Sequence, residues 1–236
     1  MVNVKLADIA IAMDNRYPDL AELCAGYETD EAPVIRLSVS DEELEMERRV
    51  QTYAFTPGYL ETVCMYRKLA LEMLAHGVFI LHASVLEVDG EGYAFLAPSG
   101  TGKTTQTRLW LAHFKDRVRV VNGDKPLIRM EQDGESWAFR AYGTPWNGKE
   151  GMGCNASVRL KALYLLERAP QPECFPAPEE ISVDRLLRQM LMPQEEGQME
   201  TLLEMADRMI EALPIYILRC NMKEESVIAA YEAAQR

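Results

Sequence analysis

Gly92-Tyr-Ala-Phe-Leu-Ala-Pro-Ser-Gly-Thr-Gly-Lys-Thr-Thr105 is the stretch on which the fold turns. A short apolar strand, Gly92–Leu96, runs into a glycine-rich turn. Lys103-Thr104 follows, and the chain then reads as a helix to about Lys115, with Leu109, Leu111 and Phe114 apolar. Strand, glycine-rich loop, Lys-Thr and helix is the layout a phosphate cradle requires. Glycines at 100 and 102 allow backbone conformations closed to residues with a Cβ, so successive N–H groups can face one concavity. The helix adds the positive end of its dipole. Pro98, Ser99, Gly100, Thr101, Gly102, Lys103, Thr104 and Thr105 are therefore the expected nucleotide-binding residues. Lys103 would reach the β- and γ-phosphates, and the Thr104 hydroxyl would ligate Mg²⁺. Ala97 stands where the usual GxxxxGK[ST] pattern has its first glycine.

Downstream, Val118–Asn122 reads as a strand leading to Gly123-Asp124-Lys125. A carboxylate at the end of a strand beside such a loop can hold a metal or accept a proton from an attacking hydroxyl, so Asp124 is a candidate base and metal ligand. A plain turn aspartate beside glycine is the alternative. His82, in Phe79-Ile-Leu-His-Ala-Ser-Val85, lies one hairpin before the loop. It is either a strand histidine satisfied by a neighbour or a residue near Asp124. The segment Tyr142-Gly-Thr-Pro-Trp-Asn-Gly-Lys-Glu-Gly151 joins two strand-like stretches. Lys149 could offset phosphate charge in a transition state and Glu150 could bind Mg²⁺, or the segment is a Gly/Pro loop with a packed Trp146.

The chain has 236 residues, 48% hydrophobic and 26% charged, enough for a large core without disulfides or metals. Asp and Glu number 37 against 25 Lys and Arg, a net charge of -12 that disfavours nucleic-acid partners. No apolar run approaches the roughly 20 residues of a membrane span, and the N-terminus lacks a secretory pattern. The 5 cysteines show no paired spacing for a disulfide framework or a zinc site. A reduced, cytoplasmic, non-membrane protein is expected.

Residues 1–76 read as a small N-terminal α+β lobe. Residues 3–13 are a strand, a short helix runs from Tyr17-Pro18 to about Cys24, and 34–39 are a second strand. Ser40 or Asp41 caps a helix, and Thr56-Pro57 starts a longer one ending at Gly77, with Leu60, Val63, Cys64, Leu69 and Leu74 as its stripe. Residues 77–236 read as the main domain. Its strands are 78–88, a hairpin partner after Asp89-Gly90, 118–122, 126–130, 136–142 and 159–167. A proline-rich linker covers 170–178. Helices over 181–191 and 198–213, a strand at 215–218 and a terminal helix from Glu224 complete it.

These residues resemble a known family. His82-Ala83-Ser84, the hairpin, Ser99-Gly-Thr-Gly-Lys-Thr104 and an apolar strand ending in Asp124 are similar to the catalytic domain of HPr kinase/phosphorylase. The loop also resembles ATP-dependent phosphoenolpyruvate carboxykinase, which shares that fold. The resemblance covers roughly residues 78–165. It implies an α/β fold, a P-loop domain with a mixed sheet and flanking helices. It also implies an ATP- and Mg²⁺-dependent phosphotransferase that phosphorylates a serine of a peptide or protein. Lys103 would contact phosphate, Thr104 would bind Mg²⁺, Asp124 would deprotonate the serine, and His82 would belong to the same site. Gly123-Asp124 replaces the family's paired acids, and the segment for the reverse phosphorolysis is not recognisable. Related kinases form oligomers, so a homo-oligomer is one expectation. The rival readings are a nucleotide-binding accessory or sensor without phosphotransfer, and a small-metabolite kinase.

Overall fold

The computed structural model describes residues 1–236. The chain is α/β, with a curled mixed sheet flanked by helices and a separate three-stranded sheet at the N-terminus.

That small sheet is β1 (Val2–Leu6), β2 (Ile9–Asp14) and β3 (Ile35–Ser38), in the order β1-β2-β3. The single strand expected over 3–13 is instead an antiparallel hairpin. Its two-residue turn, Ala7-Asp8, has φ of 46° and 62° without a glycine to announce it. Two distant side chains hold the turn: Arg129 donates to the Ala7 carbonyl and the Tyr142 hydroxyl donates to Asp8. A local turn rule misses it because the stabilising partners are more than 120 residues away.

Helices α1 (Pro18–Leu23), α2 (Asp41–Val50) and α3 (Pro57–Glu72) cover this sheet. Ser40 and Glu43 close a reciprocal capping box on α2, and Thr56 caps α3. Tyr17 makes no side-chain cap for α1. The fully buried Glu61 carboxylate on α3 instead fixes the chain entering the helix, accepting from the amides of Arg16 (2.8 Å) and Tyr17 (3.2 Å). The core of this lobe includes Leu60, Cys64, Met65 and Leu69 of α3 and continues into Val78, Ile80, Leu127 and Tyr142 of the main sheet.

The main sheet contains β4 (Val78–Ile80), β5 (Ala83–Val88), β6 (Glu91–Leu96), β7 (Val118–Asn122), β8 (Leu127–Asp133), β9 (Ser136–Tyr142), β10 (Ser157–Arg168), β11 (Glu173–Pro176) and β12 (Ile215–Cys220). Its path is β4-β8-β9-β10-β6-β5-β7, with β12 alongside β10 and β11 alongside β12. The long β10 explains the curl. Its first residues pair antiparallel with β9, while its later ones lie parallel between β6 and β12.

Two expectations change here. The predicted strand 78–88 breaks at Leu81-His82, so that β4 joins β8 while β5 joins β6 and β7. The proline-rich 170–178 segment contains β11, an edge strand on which proline is tolerated.

Helices α4 (Lys103–Phe114) and α7 (Glu225–Ala233) pack around a core of Tyr93, Phe95, Trp110, Phe114 and Tyr164. Trp110 lies 5.1 Å from Tyr93, 5.2 Å from Phe95 and 5.2 Å from Phe114, ring centroid to centroid. Helix α4 buries Lys103, Gln106, Thr107, Trp110 and Phe114, whereas Leu109 and Leu111 stay partly exposed. Its inner face is therefore half polar, which hid it from a reading of apolar periodicity. Helices α5 (Glu179–Leu187) and α6 (Glu196–Ala212) pack on another core through Leu186, Leu202, Met205 and Met209. No helix is long and apolar enough to cross a membrane.

Candidate functional site

The loop between β6 and α4 is open at its backbone. Gly100, φ 79°, and Gly102, φ 139°, take conformations that residues with a Cβ rarely adopt. Of the amides from Ser99 to Thr105, only Thr101 donates within the protein, to the Pro98 carbonyl at 3.2 Å. The other six carry no hydrogen bond. The amides of Lys103, Thr104 and Thr105 belong to the unsatisfied first turn of α4. The loop carbonyls, in contrast, are held. The Arg168 guanidinium, at the end of β10, donates to the Thr101 carbonyl at 3.0 Å and also to that of Gly100. In a trans peptide C=O and N–H point oppositely, so this clamp turns the Gly102 N–H away from Arg168. Ala97 is buried in the aromatic core with ordinary backbone angles, so the position needs no glycine.

Lys103 is 8% exposed. Its Nζ donates to the Ala97 carbonyl at 2.6 Å and lies 3.1 Å from His82 Nε2. Burial is the largest influence on its ammonium and lowers the pKa to about 8, partly offset by Asp124. One turn further along α4, Thr107 fixes the helix start: its Oγ1 lies 2.7 Å from the buried Ser84 Oγ and donates to the Lys103 carbonyl.

His82 owes its place to the break between β4 and β5. Its amide donates to the Gln189 carbonyl at 2.7 Å, and the next amide, of Ala83, donates to the Asp124 carbonyl at 3.1 Å. His82 Nε2 is 3.1 Å from Asp124 Oδ1 as well as from Lys103 Nζ. One ring nitrogen cannot donate to the carboxylate and accept from the ammonium together. The His82-to-Asp124 bond is the one that an ionised Asp124 selects, leaving Lys103 on Ala97. Burial raises the Asp124 pKa. The bond from His82 and the charges of Lys125 and Lys103 outweigh it, and the net direction is below the ordinary carboxylate range. Asp124 Oδ2 lies 3.9 Å from the Lys125 ammonium.

Asn122 shapes this corner. It is fully buried, and its Oδ1 accepts from the amides of Asp124 (2.8 Å) and Lys125 (2.7 Å). Its Nδ2 donates to the carbonyl and hydroxyl of Thr144. The turn at 122–125 is thereby tied to the 143–154 segment. A Cβ at Gly123 would meet the carbonyl oxygens of Asn147 at 2.8 Å and Met152 at 2.9 Å, so only glycine lets the two pieces approach. Trp146 packs on Tyr66, centroids 5.6 Å apart, and its Nε1 donates to the Thr62 carbonyl of α3 at 3.2 Å. The tryptophan thus docks this segment onto the N-terminal lobe.

A polar cavity of about 370 Å³ lies between these pieces. His82, Ser99, Gly100, Gly102, Lys103, Thr104, Thr105, Asp124, Lys149 and Glu150 all line it. Pro98 and Thr101 do not, and Thr101 faces a second cavity. Lys149 is exposed and makes no hydrogen bond, whereas the exposed Glu150 is paired with Arg108 of α4. Three functional contributors were not singled out from sequence. Asn122 had a signal, since Asn-Gly-Asp is turn chemistry with a side chain able to hold its own following amides. Lys125 and Arg168 had none, because only the folded chain brings them to Asp124 and to the loop.

Thr104, Asp124 and Glu150, the residues expected to bind a divalent cation, all line the cavity, Glu150 paired with Arg108, and no cluster of three or more His, Cys, Asp or Glu exists. That set fits Mg²⁺, which keeps several waters and takes one or two carboxylates together with substrate phosphates. The free amides, the open space above Gly100 and Gly102, and Lys103 fit a phosphate chain.

Among solved structures, the HPr(Ser) kinase/phosphatase from Coxiella burnetii aligns with 66% of this chain and 96% of its own. The identity is 10% and the TM-score 0.32. No curated protein matches the chain. Residues 59–225, which span α3, the loop, His82, Asp124 and the 143–154 segment, match one family model, and the chain belongs to that family, SynChlorMet cassette protein ScmC.

Proposed function

We propose that this ScmC-family protein is an ATP- and Mg²⁺-dependent phosphotransferase whose acceptor is a serine hydroxyl of a peptide or protein. The observation that carries the reading is the loop at 99–105. Six free amides lie on it, and it borders the same cavity as the Lys103, His82 and Asp124 side chains. A row of unpartnered amides on a glycine-rich turn at a helix start suits an anion. The motif resemblance to HPr kinase supplies the reaction type and the class of acceptor.

In this reading Lys103 leaves the Ala97 carbonyl to meet phosphate, and a negative ligand restores the charge that burial disfavours. Thr104 and Asp124 would hold Mg²⁺, which neutralises charge on the β- and γ-phosphates. Asp124 accepts the proton of the attacking hydroxyl, while His82 orients the carboxylate through Oδ1. The oxygen–phosphorus bond to the acceptor forms as the bond to the ADP oxygen breaks. Lys149, free at the cavity edge, is placed to meet charge that develops during transfer.

One observation favours nucleotide binding without transfer. Glu150 is paired with Arg108, and Asp124, itself in contact with His82 and Lys125, is the only other carboxylate lining the cavity. Incubation with γ-labelled ATP, Mg²⁺ and candidate serine peptides separates the two. Label should move to the acceptor, and Asp124→Asn should slow transfer about 10²- to 10⁴-fold even at saturating ATP and Mg²⁺. Tight ATP binding with no transfer to any acceptor would establish the sensor reading.

A further inference from the structure

The segment between β9 and β10 forms one wall of the phosphate cavity and is fastened at three points. Trp146 docks on Tyr66 and on the Thr62 carbonyl of α3. Gly148 packs against Asp124, where a Cβ would lie 3.0 Å from the Asp124 Cβ. Two residues later, Glu150 pairs with Arg108 of α4. Gly148, Lys149 and Glu150 line the cavity from this side, and Lys103, Thr104 and Thr105 line it from the other. Arg108 lies one helical turn beyond Thr104 on the same side of α4. The Arg108–Glu150 pair therefore ties the two walls together.

Three features make this tie a latch and not a strut. Both side chains are exposed, Arg108 by 63% and Glu150 by 47%, and an exposed pair is easily broken. The turn that carries Glu150 has Gly148, φ 84°, at one end and Gly151, φ 62°, at the other, with the Gly151 amide donating to the Gly148 carbonyl at 3.1 Å. Glycine at both ends lets the turn shift with little strain. The third feature is charge. Lys103 and the open amides suit an anion, yet the pair keeps the Glu150 carboxylate on the wall of the same cavity. A phosphate chain entering there meets a like charge.

We infer that the Arg108–Glu150 pair is an autoinhibitory latch, which holds the 148–151 turn and its carboxylate against the empty cavity and breaks when a triphosphate enters. The inference rests on the reading of the loop as a triphosphate cradle and adds a regulation of that site. Apparent affinity is then reduced by the fraction of molecules in which the latch is closed.

The test is calorimetry with inorganic tripolyphosphate and no added metal, so that the anion alone is read. Arg108→Gln removes the pair and, with it, a positive charge close to the cavity. A latch predicts that this variant binds tripolyphosphate about two- to fivefold more tightly than wild type (about 0.4–1 kcal/mol). An arginine that served the anion through its charge predicts weaker binding, so the two roles differ in sign. Amide hydrogen exchange without ligand is the second readout, and the Gly151 amide should exchange faster in Arg108→Gln. Arg108 is on the outer face of α4, so the fold should be unaffected and Tm should stay within about 2 °C. Tripolyphosphate binding that is unchanged or weaker in Arg108→Gln, or exchange at Gly151 that does not quicken, would overturn the latch alone. Failure of tripolyphosphate to bind wild type and variant alike would instead remove the phosphate cradle, and the latch with it.

Discussion

Two turns flank β5 in the sheet and close at the same cavity, yet they treat their amides in opposite ways. After β7, Asn122 Oδ1 accepts from the amides of Asp124 and Lys125, so the turn is complete in itself. After β6, six amides from Ser99 to Thr105 are left open, and Arg168 holds the carbonyls instead. The first arrangement fixes a carboxylate. The second leaves donors for something outside the chain. A rigid corner and an unsatisfied loop on either side of β5 are what a site needs if it is to hold one reactant still and receive another.

The largest break in this contrast is expected from Lys103→Met. Triphosphate binding should fall by 100-fold or more, because the buried cation that lines the phosphate cavity is gone (about 2.7 kcal/mol or more). Without ligand, the same change should stabilise the protein. Burial takes the Lys103 ammonium from 10.5 to about 8, and at about 1.36 kcal/mol per pH unit that sets an upper limit near 3 kcal/mol. Losing the bond to Ala97 and the charge beside Asp124 offsets part of it, so a net gain of about 1 kcal/mol, or 2–4 °C in Tm, is expected at pH 7. The sign follows from linkage. Between pH 8 and 10.5 the unfolded chain binds the proton that the folded chain releases, so stability rises with pH there, and the penalty is complete only below pH 8. Thermal unfolding at pH 7 and at 10.5 checks it: the gain should vanish at the higher pH. A Tm that drops at pH 7 would mean that Lys103 supports the unliganded fold.

Asn122→Ala attacks the complete turn. It strands two amides in a buried corner and frees Thr144 from its partner. A loss of about 2–4 kcal/mol is expected, read as a lower Tm and a lower denaturant midpoint. Phosphotransfer should fall along with it, because Asp124 loses its support. Wild-type stability in this variant would show that the 122–125 turn does not depend on its asparagine.

How much of this was legible follows the same division. The loop could be read because glycine, lysine and threonine at fixed spacing state a local chemistry. Asp124 and His82 could be proposed by their places along the chain, but their 3.1 Å contact depends on β4 ending at Ile80, so that Leu81-His82 crosses between strand pairings. Apolar alternation across 78–88 hides that break. The Ala7-Asp8 turn, held by Arg129 and Tyr142, and the Arg168 clamp were invisible for one reason. Each is made of ordinary residues whose partners are more than 60 positions away. The inner face of α4 misled for another. Its buried residues include a lysine, a glutamine and a threonine, each placed by the site as much as by the core.

Arg168→Ala gives the smallest effect and sharpens the contrast most cleanly. The guanidinium touches only the carbonyl side of the loop, at an exposed location. Its removal leaves the turn at 122–125 intact, so Tm should move by no more than about 2 °C. The loop amides would lose their fixed orientation, and tripolyphosphate would have to order them on binding. Such ordering is worth on the order of 1 kcal/mol, about a fivefold loss of affinity by calorimetry. The charge removed lies on the carbonyl side, away from the amide donors, so Arg168→Lys discriminates between orientation and charge. A lysine keeps the charge but not the fork that reaches two carbonyls. It should behave like alanine if orientation is the cause, and like wild type if the arginine merely adds to the local potential.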